Sequence, residues 1–140
     1  MKVMISGSMA FAKEMVVVKK QLEDIGYEVQ LPFETEVHIE NPLFVENLND
    51  NLQYCINNDV IHKSFDFITI SDAVLVLNYP RKGIDGYIGA STLMEIAIAY
   101  HLRKKIFLLY EIPDYNTIRW AHEIAIMQPK ILNGDLMKVK

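Results

Sequence analysis

The sequence predicts a single α/β domain built on a doubly wound parallel sheet. Short apolar runs of strand length alternate along the chain with longer segments of helical spacing, which is the pattern of strand–helix–strand units. A length of 140 residues, with 51% hydrophobic and 23% charged residues, suits one hydrophobic core. We therefore expect right-handed crossovers between parallel strands, and any ligand should bind beyond the carboxyl ends of those strands.

The amino-terminal part predicts two strands joined by one helix. Lys2–Ser6 is a short apolar run that stops at Gly7, as a buried strand does. From about Phe11 to Ile25 apolar residues recur at helical spacing, and Gly26 is placed to end that helix. Tyr27–Leu31 then alternates apolar and polar side chains before a proline, which favours a strand near the sheet edge.

The middle of the chain predicts an irregular insertion followed by the central strand. Residues 33–58 are rich in Asn and Glu, with weak helical periodicity between Leu43 and Cys55, so we expect one helix there and a segment able to act as a lid. Asp59 can cap a helix that runs to Thr69. Ala73–Leu77 is the most strand-like run in the chain and should lie at the centre of the sheet.

The carboxyl-terminal part predicts two further units. A helix from about Ser91 to Leu102 precedes a buried strand at Ile106–Tyr110. An amphipathic helix at Tyr115–Met127 follows, and Ile131–Leu132 could add a short strand. The first, central and Ile106 strands should then be parallel neighbours in a Rossmann-like or flavodoxin-like three-layer sandwich.

Composition excludes several classes of partner. The formal net charge is −4 and the basic residues are scattered, which argues against a nucleic-acid partner. No apolar segment is long enough to span a bilayer and no secretory leader is visible, so we expect no membrane partner and a cytoplasmic location. Cys55 is alone and the four histidines lack ligand spacing, so we expect neither metal nor cofactor.

The loop after the first strand is one candidate binding segment. Gly7, Ser8 and Met9 precede a helix, whose amino-terminal N–H groups and positive dipole end can hold a phosphate or a sugar hydroxyl. Alternatively, Gly7 only makes the turn and Ser8 only caps the helix. The residues alone leave both interpretations open.

The loop after the central strand is a second candidate. Residues 78–89 are long for a strand–helix connection, and Asn78, Asp85 and Gly89 are its candidate ligand contacts. Alternatively, the segment is a solvated surface turn.

Glu95 is the strongest candidate for chemistry. It lies one turn into the helix that follows this loop, beside the apolar stripe and near the end that points to the crevice, with Ser91 close to the helix start. A carboxylate in a partly apolar cleft can act as a nucleophile or as an acid–base group. Alternatively, it merely complements the helix dipole.

Three segments together resemble the nucleoside 2-deoxyribosyltransferase-like superfamily, which includes 2′-deoxynucleoside 5′-monophosphate N-glycosidases. They are the Gly7–Met9 loop, the Ser71–Leu77 strand and the segment from Tyr87 to Tyr100 that contains Glu95. The resemblance implies that Glu95 attacks the anomeric carbon of a 2′-deoxyribosyl group and that the first loop holds the sugar or its 5′-phosphate. It also implies a small nucleoside or nucleotide substrate, no metal, and a homodimer or higher homo-oligomer.

Two positions depart from the pattern of that superfamily. Gly89 stands where members often have an aspartate or a serine. A family aspartate on the helix before the central strand would fall near Ser64, and Asp66 is the closest acidic residue, which makes it the candidate acid–base partner. Two functions remain open: N-glycosidic cleavage or transfer through Glu95, and a non-catalytic nucleotide-binding or sensing domain of the same fold.

Overall fold

A parallel sheet of five strands forms the centre of the molecule and confirms the predicted fold class. The computed structural model describes every residue from Met1 to Lys140. All neighbouring strands pair in parallel, in the order β2-β1-β3-β4-β5. The strands are β1 (Lys2–Ser6), β2 (Glu28–Gln30), β3 (Ala73–Val76), β4 (Lys105–Leu108) and β5 (Lys130–Ile131). The first, central and Ile106 strands are neighbours, as the sequence predicts.

Six α-helices connect and cover these strands. They are α1 (Ala12–Asp24), α2 (Thr35–Glu40), α3 (Leu48–Asn57), α4 (Val60–Thr69), α5 (Ala90–His101) and α6 (Arg119–Met127). Short 3-10 turns lie at Met9–Phe11, Pro42–Val45 and Leu136–Lys138. None of the helices combines the length and the apolar composition that crossing a bilayer requires.

The sheet separates two hydrophobic layers, because successive side chains of a strand point to opposite faces. Val3 and Ile5 of β1 pack with α1 on one face. Met4 of the same strand packs with α4, α5 and α6 on the other face. The helices that follow β1 and β3 therefore cover opposite faces, which is the doubly wound arrangement predicted from the sequence.

The insertion between β2 and α4 differs from its prediction. It holds two helices, α2 and α3, joined by the Pro42–Val45 turn, where the sequence predicts one. Neither α3 nor this turn contains a fully buried residue. Helix α3 carries exposed apolar side chains one turn apart, which we call the α3 stripe: Leu48, Leu52 and Ile56.

Three helix starts also differ from the prediction. Asp59 adopts a left-handed backbone conformation with φ of 50° and makes no side-chain capping bond to α4; instead its carboxylate pairs with His62 Nδ1 at 2.8 Å. Helix α5 begins at Ala90, one residue before the predicted start, and Gly89 occupies its cap position. Helix α6 begins at Arg119 rather than near Tyr115, because Asp114 accepts hydrogen bonds from Asn116 and Thr117 and holds that stretch as a turn.

Candidate active site

A cavity lies at the carboxyl edge of the sheet, beside the ends of β1 and β3. Because the helices after these two strands cover opposite faces, the crevice between them is the topological switch point where α/β sheets bind ligands. The cavity has a volume of about 540 Å³, within the range of small-molecule sites. Its lining comes from the β1 loop, the insertion, α4 and the start of α5: Gly7, Ser8, Met9, Pro32, Glu34, His38, Val45, Leu48, Asn51, Leu52, Cys55, Val60, Ile61, Ser64, Phe65, Gly89, Ala90, Ser91, Thr92, Met94 and Glu95.

The carboxylate of Glu95 is held by two serine hydroxyls. Ser6 Oγ donates to one carboxylate oxygen and Ser64 Oγ donates to the other at 2.9 Å. Both serines are buried, one at the end of β1 and the other in the middle of α4. Three elements of the fold thus converge on one acidic group and fix its orientation.

The environment of Glu95 raises the pKa of its carboxyl from an ordinary 4.5 to about 7. Burial is the main cause, because it penalises the charged form, and the charge of Glu34 adds to the effect. The hydrogen bonds from Ser6 and Ser64 act in the opposite direction and favour the charged form. Glu95 therefore changes its protonation state close to neutral pH, a property that is typical of catalytic carboxyl groups.

The β1 loop approaches the end of β3 closely, and a glycine is required there. Gly7 has φ of +152°, and a Cβ atom at this position would lie 2.9 Å from the carbonyl oxygen of Leu77. Ser8 Oγ accepts a hydrogen bond from the backbone N–H of Ala10 at 3.2 Å, so Ser8 does cap the short turn that follows. The loop nevertheless lines the cavity, so the structural role and the binding role of this segment are compatible.

The start of α5 forms another wall of the cavity. The first four N–H groups of a helix have no partner within it, and their dipole end favours negative charge. Gly89, Ala90, Ser91 and Thr92 all line the cavity at this end of α5, and no side chain caps the helix. This wall can donate hydrogen bonds to an oxygen-rich ligand.

Six of the nine site residues predicted from the sequence line the cavity. They are Gly7, Ser8, Met9, Gly89, Ser91 and Glu95. Asn78 does not: its buried side chain bonds the backbone N–H and C=O of Tyr110 at 2.9 and 2.8 Å, a structural task. Asp85 is exposed in the 78–89 loop and also lies outside the cavity.

The structure places Asp66 outside the cavity and Ser64 inside it. The two residues lie on one helix, and a separation of two residues corresponds to about 200° around the axis. Ser64 is buried against Glu95, so Asp66 is exposed on the opposite side of α4. The prediction of Asp66 as the acid–base partner therefore lacks the necessary geometry.

Three titratable residues of the site were missed from the sequence, and all come from the insertion: Glu34, His38 and Cys55. Glu34 directly precedes α2, makes no capping bond, and has a pKa that burial raises. His38 lies one turn further, is 5% exposed, and its buried Nδ1 has no hydrogen-bond partner. The position of Glu34 shortly after β2 could have indicated that it belongs to the site. The carboxyl end of β2 lies at the same sheet edge as that of β1, where the cavity opens.

No protein-family model matches the sequence, and no curated protein matches it. Among solved structures, the chain is similar to Clostridium botulinum CMP N-glycosidase, BcmB, with 19% sequence identity and a TM-score of 0.48; the match covers 94% of this chain and 85% of that one. At this level the likeness assigns no activity.

Proposed function

We propose that the protein cleaves or transfers the N-glycosidic bond of 2′-deoxynucleosides or their 5′-monophosphates, with Glu95 as the nucleophile. The observation that carries this proposal is the Glu95 carboxylate, held by Ser6 and Ser64 on the wall of a cavity at the switch point of the sheet. The choice of a deoxyribosyl substrate rests on the resemblance of the Gly7, β3 and Glu95 segments to the deoxyribosyltransferase-like superfamily.

The proposed reaction has two steps. An oxygen of ionised Glu95 attacks C1′ of the sugar, the C1′–N bond breaks, and its electron pair leaves with the base. Water, or the nitrogen of a second base, then attacks C1′ from the side that the first base has left, and the electron pair of the ester bond returns to Glu95. The serine hydroxyls keep the carboxylate oriented for attack, and both remain hydrogen-bonded to it when it is released.

The walls of the cavity suit a deoxyribosyl ligand. No lysine or arginine is among the lining residues. A 5′-hydroxyl or 5′-phosphate would therefore be held by N–H groups of the Gly7–Met9 loop and the start of α5, together with the Ser91 hydroxyl. Phe65, Leu52 and Val45 supply apolar surface for a planar base.

A second candidate is a non-catalytic nucleotide-binding or sensing domain of the same fold. One observation favours it: the helix before the central strand presents the hydroxyl of Ser64 to Glu95, where the superfamily has an aspartate. In that case Glu95 would only hydrogen-bond the sugar.

Base release distinguishes the two functions. Each of the common 2′-deoxynucleosides and their 5′-monophosphates is incubated with the protein, and free base is separated by chromatography. We expect release by the wild-type protein and a fall of about 10³-fold or more in Glu95→Gln, with ligand affinity little changed. Glu40→Gln is the control, because Glu40 is exposed on α2 and does not line the cavity.

Two results would contradict the enzymatic proposal. If Glu95→Gln keeps wild-type turnover, Glu95 is not the nucleophile. If calorimetry shows nucleotide binding and no substrate yields free base, the sensing function is correct.

A further inference from the structure

The proposed reaction needs an acid that the resemblance does not supply. When the C1′–N bond breaks, the departing base carries an extra electron pair, and for an ordinary nucleobase this requires a proton. Glu95 cannot provide it in the same step, because it must be ionised to attack C1′. A separate proton donor must therefore face the base.

Few groups can take this role. The titratable side chains that line the cavity are Glu34, His38, Cys55 and Glu95. The Cys55 thiol donates to Asn51 Oδ1 at 3.4 Å, and burial raises its pKa, which makes it a weak acid. Glu34 and His38 remain.

Glu34 has the properties of a proton donor. Its side chain is partly buried and forms neither an ion pair nor a capping bond to α2. A hydrogen bond to its own backbone favours the ionised form, but the effect of burial is larger. Burial raises the pKa of its carboxyl, which retains a proton to higher pH than an exposed glutamate does. Glu34 and Glu95 line the same cavity, and only an ionised Glu34 raises the pKa of Glu95, so a proton on Glu34 favours the ionised Glu95 that attack requires.

His38 adds an unpartnered ring nitrogen next to Glu34 on this side of the cavity. The backbone N–H of His38 donates to the carbonyl of Glu34 at 3.3 Å, which sets the two residues one helical turn apart. His38 is 5% exposed and lines the cavity, and its Nδ1 is buried without a partner. A buried polar atom of this kind normally has a partner, and a nucleobase carries suitable ring nitrogens and exocyclic groups. Burial lowers the pKa of His38, so the neutral ring can orient the base but is a poor acid.

We propose that Glu34 is the general acid that protonates the departing base and the general base that later activates water; this rests on the proposed function. In the first step the Glu34 O–H proton passes to the base nitrogen while the C1′–N bond breaks and the C1′–O bond to Glu95 forms. In the second step a water oxygen bonds to C1′, the Glu95 ester bond breaks, and the water proton passes to Glu34. The sum is water plus deoxynucleoside giving free base plus deoxyribose, and both glutamates return to their starting forms.

Leaving-group dependence tests this role. An ordinary deoxynucleoside that the wild-type protein cleaves is compared with a substrate whose leaving group needs no proton. The second substrate is 7-methyl-2′-deoxyguanosine or 4-nitrophenyl 2-deoxyriboside, whichever the wild-type protein cleaves faster. First-turnover release is measured for wild type, Glu34→Gln, Glu95→Gln, His38→Gln and the control Glu36→Gln, since Glu36 is exposed on α2 and outside the cavity.

We expect Glu34→Gln to lose about 10² to 10³-fold on the ordinary substrate and less than about 10-fold on the activated one. Retained activity on the activated substrate also shows that the variant is folded. Because Glu34 serves the second step too, intact-mass measurement should detect accumulated glycosyl-enzyme in this variant with the activated substrate. Glu36→Gln should behave as wild type on both substrates.

Other results would overturn the assignment of Glu34. Wild-type rates on both substrates, or equal losses on both, would show that Glu34 is not the acid, and a selective loss in His38→Gln alone would transfer the role to His38. These results leave the proposed function intact if Glu95→Gln loses activity on both substrates. If the wild-type protein cleaves neither substrate, or Glu95→Gln cleaves both, the proposed function fails and this proposal fails with it.

Discussion

Replacing Glu95 by Gln should stabilise the protein at alkaline pH while abolishing its activity. The carboxyl of Glu95 titrates near pH 7 in the folded protein, mainly because it is buried, and at its ordinary value of 4.5 when exposed. Ionising it in the folded protein therefore costs free energy that the unfolded chain does not lose. A glutamine has nearly the same shape, can still bond Ser6 and Ser64, and never ionises.

The size and sign of this effect follow from proton linkage. Between pH 4.5 and about 7 the folded protein holds a proton on Glu95 that the unfolded chain has lost, so the free energy of unfolding falls as pH rises. The stabilisation that the protonated Glu95 gives to the folded protein is complete below pH 4.5 and is lost above pH 7. At about 1.4 kcal/mol per pH unit the full difference is roughly 3 kcal/mol, of which about 2.5 kcal/mol falls between pH 5 and pH 8.

Urea denaturation at pH 5 and pH 8 measures this difference. The stability of Glu95→Gln relative to wild type should rise by about 2 to 3 kcal/mol between the two conditions. Glu40→Gln, which alters an exposed glutamate outside the cavity, should show no such rise. A change of less than about 0.5 kcal/mol for Glu95→Gln would refute the reasoning, because Glu95 would then titrate as an exposed group.

Three further predictions concern other parts of the molecule. Ser64→Ala removes one hydrogen-bond donor to Glu95, so the pKa of Glu95 should rise further. The acidic limb of the pH–rate profile should then move up by about 1 pH unit. An unmoved limb would contradict this. Gly86→Ala should lower the unfolding free energy by at least about 2 kcal/mol more than Gly83→Ala does. Both glycines have φ near +70°, but only a Cβ at Gly86 would collide with the carbonyl oxygen of Glu111. Equal losses in urea titrations would show that the clash is relieved. The chain should self-associate through the part of the α3 stripe around Ile56, which is exposed and does not line the cavity. Sedimentation should show at least a dimer that Ile56→Glu dissociates, and a wild-type monomer at micromolar concentration would count against it.

The sequence predicts the sheet well because its strands are short apolar runs bounded by helical segments. Residues 3–6, 73–76 and 106–108 are buried on both faces, so their composition alone indicates strands. The position of Glu95 near the crevice follows from the same regularity, since α5 starts at the carboxyl edge of β3. These parts depend on local pattern and on the rules of parallel sheets.

The positions of the other site residues depend on which side of a helix is buried and on packing between distant parts of the chain. Val60, Ser64 and Ile68 form the buried side of α4, so the inward position of Ser64 was readable from their spacing. Glu34 and His38 could not be assigned in this way. They face the cavity only because the insertion folds back over the sheet edge, and no local pattern in residues 33–58 encodes that return.

The two walls of the cavity are restrained to different degrees, and Asn78 contributes to this difference. The side-chain amide of Asn78 bonds both backbone groups of Tyr110 and so continues the pairing of β3 and β4 beyond the strand ends. The wall that carries Glu95 is thereby tied to the sheet. The opposite wall belongs to the insertion, where α3 and the Pro42–Val45 turn bury no residue fully and few contacts resist substitution. Substitutions in α3 and the Pro42–Val45 turn should therefore change ligand preference while leaving the geometry around Glu95 in place.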